Sequence, residues 1–297
     1  MAIDAAFSAA RFSYAEPMSS NWVPMDEDPT DYGTLHEGIP AWIAPQLWNW
    51  ISVVTNATDP RSHTFTSTFQ RMDLALRFSS SLYEHVTSMH GLGMIRNNFS
   101  APDIFKIVDF LVADNDSHDR AVQNRHLEEL LRDGGSAWRV GTRAGHAGLE
   151  RRVPVGVQEA AEHIMDSSEL AGRILSEAWH AAFGHNPDPE KAYKKAIVAV
   201  EEAAAEKVIP NNKTATLGSI LKAMKDQKNW SLPLLENPAV PSKDVAIQMA
   251  QALWSGETGR HGGNGYRASN QEEAEAAVLL AVPLVYFFTR ETVARRD

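Results

Sequence analysis

The feature that most constrains the fold is an alanine-rich stripe in the segment 189–208. Its apolar residues recur at the spacing of one helix face, and they are Ala192, Tyr193, Ala196, Ile197, Ala199, Val200, Ala203 and Ala204. Just before the stripe, Asn186-Pro187-Asp188-Pro189 is a helix-start signal. Because short side chains let a neighbouring helix approach closely, this pattern predicts a central helix with other helices packed on it.

Helical spacing continues along most of the chain and is interrupted once. The segments 137–140 and 149–155 are short and β-rich, and the stretch 141–148 between them contains glycine, which predicts a hairpin. We therefore predict a mainly α fold, with two helical parts joined by this short β-hairpin. The predicted parts are a helical N-terminal domain at 1–135, whose first 38 residues form a partly irregular arm, a hairpin connector at 136–156 and a helical bundle at 157–297.

Local signals refine the prediction at two places. Trp42 and Trp50 are eight residues apart in a segment of helical spacing, which predicts that both belong to the N-terminal core. Ser269 and Glu272 have the spacing of a capping box directly before an apolar run, which predicts the start of the last helix. The segment 1–135 contains no motif with a chemical role. By analogy alone, it senses a trigger or restrains the other domain.

Composition and charge exclude several classes of function. The 297 residues include no cysteine, which excludes disulfides, zinc-thiolate sites and thiol nucleophiles. The net charge of -10 opposes binding of nucleic acid over most of the surface, although a small basic patch can still operate. The longest apolar run, 276–288, is shorter than the ~20 residues that span a bilayer. With no signal-peptide pattern at the start, we expect a cytoplasmic protein without membrane contact.

Familiar catalytic motifs are absent from the sequence. It contains no Gly-x-x-x-x-Gly-Lys phosphate loop, no Gly-x-Gly-x-x-Gly between a strand and a helix, and no Gly-x-Ser-x-Gly elbow. None of the histidines has the His-Glu-x-x-His spacing of a zinc protease. We therefore predict no metal site and no cofactor.

The main candidate for chemistry is the glycine-rich turn at 256–265, which carries Arg260 and His261. Glycine allows the backbone to wrap closely around a ligand, or simply to make a tight connection. The imidazole of His261 can transfer a proton near neutral pH, and the guanidinium of Arg260 can hold a phosphate. This pair suits metal-independent cleavage of a phosphodiester beside a 2′-hydroxyl. The alternative is an ordinary solvated loop.

A succession of short motifs between about residues 149 and 296 extends this interpretation. In order, they are Gly148-Leu149-Glu150-Arg151-Arg152-Val153, Ala178-Trp179, Pro187-Asp188-Pro189, Ala192-Tyr193, Ala199-Val200-Glu201, Pro210, Lys213, Thr216-Leu217-Gly218, Arg260-His261-Gly262 and Glu272-Glu273-Ala274-Glu275-Ala276-Ala277. Together they resemble the abortive-infection C-terminal domain group of the HEPN superfamily. That superfamily comprises small helical domains that process nucleotides or cleave RNA.

The resemblance implies roles for the residues of the turn. His261 would be the general acid or base, and Arg260 would stabilise the phosphate. Members that cut RNA carry an arginine six or seven residues before this histidine, where the present chain has Trp254 and Ser255. Arg260 or Arg267 is therefore the candidate for the missing charge.

Three further polar residues are candidates for supporting roles. Glu201 in the alanine-rich helix would orient the imidazole of His261, or it lies on a solvated helix face. Lys213 would contact a phosphate near the start of the next helix, or it is an exposed lysine in a turn. Asn264, in the glycine-rich turn, completes the candidate substrate contacts.

The function implied by the resemblance is RNA restriction in phage defence or in a toxin-like system, by a metal-independent endoribonuclease. HEPN domains commonly pair, so a homodimer is expected, and an antitoxin or trigger protein is a further expected partner. The first alternative is a noncatalytic regulator that binds a nucleotide, RNA or a protein, which the absent arginine favours. The second is an accessory structural protein of a phage or plasmid.

Overall fold

The fold is built from twelve helices and four short strands among the described residues of a computed structural model. Those residues are 34–57, 59, 62–88, 91–114, 118–143, 146–228, 230–235, 241–257 and 267–295. Their contacts define two compact units, one within positions 1–142 and 146–155 and the other within 143–145 and 156–297. The mainly α fold class with a small hairpin is therefore confirmed.

The first unit contains six helices and a two-stranded sheet. The elements are α1 (Ala44–Val54), α2 (His63–Leu76), α3 (Leu82–Thr87), α4 (Leu92–Asn98), α5 (Ala101–Ala113), α6 (His118–Asp133), β1 (Trp138–Arg143) and β2 (His146–Arg151). Helix α1 packs on α6, and α5 packs on both α2 and β2. A continuous apolar core runs through all these elements.

The hairpin predicted as a connector is an integral part of the first unit. Leu149 is fully buried in its core, and Trp138 is also buried there. The backbone N–H of Leu149 donates to Oδ1 of Asp109 at 2.7 Å, and that of Val140 donates to Oε2 of Glu128 at 2.7 Å. Carboxylates on α5 and α6 thus bind backbone groups of the two strands, a long-range pairing that the local β pattern does not reveal.

The second unit contains six helices and a pair of two-residue strands. The elements are α7 (Val155–Ser167), α8 (Glu169–Phe183), α9 (Pro189–Val208), α10 (Leu217–Gln227), β3 (Trp230–Ser231), α11 (Ser242–Gly256), α12 (Gln271–Thr289) and β4 (Ala294–Arg295). Strand β3 pairs antiparallel with β4, Trp230 opposite Arg295. Each strand is too short to show a period-two pattern, so the sequence did not predict this pair.

Helix α9 occupies the centre of the second unit, as its alanine stripe predicts. Every residue of that stripe is buried, and α8, α12 and α10 all pack on this helix. Gln271 at the start of α12 donates to the carbonyl of Ala182 near the end of α8 at 2.6 Å, so these two helices are antiparallel. Lys207 in the last turn of α9 pairs with Glu291 just beyond α12 at 2.6 Å, so α9 and α12 run in the same direction.

Two local predictions differ from the structure because the helices begin at other residues than expected. The capping box of α12 is formed by Asn270 and Glu273, not by Ser269 and Glu272, because the helix begins one residue later. Trp50 is buried as predicted, but Trp42 is 59% exposed. Trp42 precedes the first residue of α1 and therefore does not follow the helical periodicity that places Trp50 inside.

None of the helices among the described residues is long and apolar enough to cross a bilayer.

The buried position of the hairpin predicts a large effect of Leu149→Ala on the stability of the full chain. Removing a fully buried leucine side chain leaves a cavity and should lower the free energy of unfolding by about 2–5 kcal/mol. Urea denaturation followed by circular dichroism measures this change. The matched control is Leu74→Ala, because Leu74 is 77% exposed and its truncation should change stability by less than ~0.5 kcal/mol. Equal effects of the two variants would contradict the packing of β2 described here.

Candidate functional site

The predicted catalytic turn lies largely outside the described residues. Arg260, His261 and Asn264 belong to the segment 258–266, so their predicted roles stay predictions. Glu201, Lys213 and Arg267 are described. The two ends of the turn, at Glu257 and Arg267, are described as well.

The helix that leads into the turn is held against the start of α9. The hydroxyl of Tyr193 donates to the carbonyl of Leu253 in the last turns of α11 at 3.1 Å. A Cβ atom at Gly256 would lie 2.3 Å from the same hydroxyl, so only glycine permits this close approach. The end of α11 is therefore positioned by a buried tyrosine of the central helix.

The helix that follows the turn is held by its own cap and by α8. The side chain of Asn270 accepts from the N–H of Glu273 at 2.9 Å, and a carboxylate oxygen of Glu273 accepts from the N–H of Asn270 at 3.0 Å. The bond from Gln271 to Ala182 ties this cap to the end of α8. Both ends of the turn are thus positioned at the end of the bundle where α9 begins.

Arg267 does not present an open guanidinium. Two of its nitrogens donate to the two carboxylate oxygens of Glu273, at 3.1 and 2.6 Å. This bidentate hydrogen bonding raises the pKa of Arg267 and lowers the pKa of Glu273. A phosphate bound by Arg267 would share the guanidinium with Glu273, which also caps α12.

Glu201 supports a neighbouring helix. Its Oε1 accepts from the backbone N–H of Leu217, the first residue of α10, at 2.6 Å. A carboxylate at this position satisfies one unpaired N–H of the helix start and interacts favourably with its dipole. Glu201 lies eight residues after Tyr193 on α9, which corresponds to about 12 Å along the helix axis. Its predicted contact with the imidazole of His261 remains a prediction.

Lys213 lies in the loop between α9 and α10 and is exposed. Oδ1 of Asn212 accepts from the N–H of Thr214 at 3.1 Å, which makes a compact turn around this lysine. The structure therefore brings Glu201 and Lys213 to the same helix start, that of α10, while Arg267 lies at the start of α12. The six predicted site residues are not seen as one constellation.

Sequence reasoning missed a groove between α10 and α11. Two adjoining depressions, of about 250 and 400 Å³, share Lys225 as a lining residue. Lys222 and Trp254 line the first depression, and Lys228 and Trp230 line the second. We call this continuous feature the α10–α11 groove. Lys222 and Lys225 are three residues apart and lie on one side of α10, and Lys228 is the residue that follows the helix.

The three lysines of the groove differ in their hydrogen-bond and ion-pair partners. Nζ of Lys225 donates to Oε1 of Gln251 across the groove at 3.0 Å. Lys222 and Lys228 are exposed and have no acidic partner among the described residues. Asp226 and Asp244 also line the groove, which leaves an excess of one positive charge on its walls. In the sequence, the groove is indicated only by the repeat Lys222-Ala-Met-Lys225-Asp-Gln-Lys228. The fold is needed to show that α11 faces this segment.

Trp254 closes one end of the groove by direct packing. A Cβ atom at Gly218 would lie 2.7 Å from the indole of Trp254, so the glycine lets α10 and α11 approach at this point. The indole is only partly buried and remains part of the groove wall. Trp254 therefore supplies an aromatic surface to this groove.

Within the described residues, no three histidine, aspartate or glutamate side chains are arranged to hold a metal ion.

Comparison with known protein families, with curated proteins and with solved structures finds no match for this chain. The HEPN resemblance therefore rests on the order of its sequence motifs alone.

The bond from Glu201 to α10 predicts a loss of stability in the variant Glu201→Ala. Removing the carboxylate leaves the N–H of Leu217 unsatisfied and should lower the free energy of unfolding by about 1–2 kcal/mol. The control is Glu202→Ala, because the neighbouring Glu202 is exposed and should change stability by less than ~0.5 kcal/mol. Urea denaturation measures both. If the two variants were equally stable, the capping role of Glu201 would be refuted.

Proposed function

We propose that the second unit binds single-stranded RNA along the α10–α11 groove. The observation that carries this proposal is the row of Lys222, Lys225 and Lys228 beside the partly exposed indole of Trp254. Lysine ammonium groups bind backbone phosphates, and an aromatic face stacks on an unpaired base. This combination is typical of surfaces that recognise single strands without a cofactor.

Because the whole chain is negatively charged, RNA binding requires a local cluster of positive charge. With a net charge of -10, most of the surface repels a polyanion. Helix α10 together with Lys228, the residue that follows it, carries three lysines and one aspartate, which gives this segment a positive net charge. Binding of RNA would therefore be confined to this groove and would weaken as salt is added.

The groove predicts that the double variant Lys222→Gln, Lys228→Gln binds RNA more weakly. For a single strand, each lost phosphate contact reduces the slope of log affinity against log salt by about 0.7, so two lost contacts should reduce it by about 1.4. Fluorescence anisotropy with a labelled single-stranded RNA measures both affinity and slope.

The matched control for this prediction is Lys191→Gln, Lys194→Gln, which removes the same charge from an exposed face of α9. It should leave the salt slope unchanged. If both double variants lost affinity equally, the chain would bind RNA through overall charge alone. If the wild-type chain did not bind RNA at all, the accessory structural role would be favoured.

A second candidate function is metal-independent cleavage of the bound RNA at Arg260 and His261. It is favoured by the path of α11, which lines the groove through Gln251 and Trp254 and ends at Gly256, four residues before Arg260. The HEPN-like motifs add the expectation of RNA restriction in phage defence, with a homodimer and an antitoxin or trigger as partners. These roles are proposals that follow from the resemblance.

The chemistry of this second candidate needs one proton to be removed and one to be supplied. A base takes the proton of the 2′-hydroxyl, the 2′-oxygen bonds to phosphorus, and the bond from phosphorus to the 5′-oxygen breaks. The products are a 2′,3′-cyclic phosphate and a 5′-hydroxyl, which receives a proton from an acid. His261 would serve as one of these groups, and Arg260 would offset the charge that develops on the phosphate.

Cleavage at this site predicts that His261→Ala abolishes RNA cutting while RNA binding is retained. Loss of a general acid or base should slow the reaction by about 10²–10⁴-fold. The assay incubates the purified chain and its variant with total RNA or tRNA in EDTA, and follows the fragments by gel electrophoresis. Equal cleavage by both proteins, or none by either, would remove the nuclease proposal. Retained binding without cleavage would then favour the noncatalytic regulator.

A further inference from the structure

The first unit contains a cavity that plays no part in the proposed RNA binding. It has a volume of about 620 Å³ and lies between α1 and α6. Pockets of 300–1,000 Å³ are typical of small-molecule sites. We call it the α1–α6 cavity. No sequence motif in this half of the chain predicts a ligand site.

Two indoles form fixed apolar walls of this cavity. Nε1 of Trp42 donates to the carbonyl of Gly134 at 3.0 Å, and Nε1 of Trp50 donates to the carbonyl of Gln123 at 2.8 Å. Both rings are thereby anchored to the backbone of the α6 segment. Trp42 is 59% exposed, and its indole also contacts the ring of His36 in a T-shaped arrangement with the centroids 5.3 Å apart.

Several polar side chains line the cavity without internal partners. Within the described part of the chain, the side chains of Gln46, Asn49, His126 and Glu129 make no hydrogen bond or ion pair. Elsewhere in the first unit, carboxylates such as Asp73, Asp109 and Glu128 bind backbone or side-chain donors. The side chains of the α1–α6 cavity are therefore available to a ligand.

The end of the cavity beside Trp42 is electronegative. Glu129 and Asp133 are four residues apart and line the last turns of α6, where the helix dipole is also negative. Asp133 pairs with the adjacent Arg132 at 2.9 Å, and Glu129 is the unshared carboxylate in the sense that it has no hydrogen-bond partner among the described residues. The pKa of Arg132 is raised, first by its hydrogen bond to Asp133 and then by the charges of Asp133, Glu128 and Glu129. A phosphate would be repelled here, whereas a cation would be attracted.

We propose that the α1–α6 cavity binds a small organic cation with a guanidinium or ammonium head. The head would lie against the exposed face of Trp42 and pair with Glu129, because an aromatic face and a carboxylate both attract positive charge. The amide groups of Gln46 and Asn49 would hydrogen-bond the polar body of the ligand. This site is independent of the proposed RNA groove, which lies in the other unit and carries the opposite charge.

The test is isothermal titration calorimetry of the full chain with agmatine. A 1:1 complex with a dissociation constant at or below about 1 mM is expected. Two end-blocked tripeptides, Gly-Arg-Gly and Gly-citrulline-Gly, test whether the cation belongs to a free small molecule or to a peptide, and whether its charge is required. The arginine tripeptide presents the same head on a peptide, and the citrulline tripeptide is its neutral analogue. Tighter binding of the arginine tripeptide than of agmatine would assign the cation to a basic partner segment.

Substitutions of residues that line the α1–α6 cavity test whether agmatine binds there. Glu129→Gln should weaken agmatine binding about tenfold, and Trp42→Leu should weaken it about fivefold, because each removes one attraction for the cation. The matched control is Glu84→Gln, which neutralises an exposed glutamate on α3 away from the cavity and should bind like the wild type. Circular dichroism confirms that each variant is folded. Glu129→Gln keeps the shape of the side chain, so it tests the proposal even if Trp42→Leu fails to fold.

The proposal would be overturned by any of three results. The first is the absence of binding by both agmatine and the arginine tripeptide. The second is equal binding of the citrulline tripeptide, which would show that charge is not recognised. The third is equal affinity of Glu129→Gln and Glu84→Gln for agmatine.

Discussion

The structure of the second unit depends on the close packing of α8 and α12 against the alanine face of α9. Small side chains on a central helix allow two neighbours to approach it at once, and all of its stripe residues are buried as a result. Tyr193 is the largest side chain of that stripe, and its hydroxyl reaches the end of α11. One helix face thus sets both the core and the position from which the glycine-rich turn departs.

Hydrogen-bond partners determine which charged groups remain free for ligands. Arg267 and Glu201 looked like site residues because of their charge, but each already binds a group at a helix start. Lys222 on α10 and Lys228 just after it are exposed and line the α10–α11 groove. A charge that already has a partner of opposite charge or a hydrogen-bond partner attracts a ligand less strongly, so Lys222 and Lys228 are the better candidates for phosphate contacts.

The two units offer surfaces of opposite character. The α10–α11 groove of the second unit has a lysine row beside an indole, whereas the α1–α6 cavity of the first unit combines an indole with an unshared carboxylate. In the two proposals, the same aromatic residue type would contact different ligands, because the neighbouring charges differ in sign. The net charge of the chain predicts neither surface, because it adds the positive charges of one surface to the negative charges of the other.

Local sequence patterns were sufficient for the secondary structure of most of the chain. The alanine stripe predicted α9 and its central position, and the mainly α class with one hairpin was predicted from periodicity and glycine placement. The strand bounds were wrong, because most of the predicted connection 141–148 belongs to β1 and β2, and Val155 at the end of the second predicted strand begins α7. These features depend on residues within a few positions of one another. Where the boundary moved by one residue, as in the Asn270 cap, two equally good capping pairs overlapped in the sequence.

Tertiary structure decided the features that depend on distant residues. The hairpin joined the first unit because Asp109 and Glu128 bind its backbone, and Trp42 remained exposed because it precedes its helix. The lysine row was visible in the sequence, but its groove exists only because Gly218 lets α11 approach. Periodicity along a chain reports which face of a helix is buried, whereas the identity of the facing element is set by packing between segments far apart in sequence.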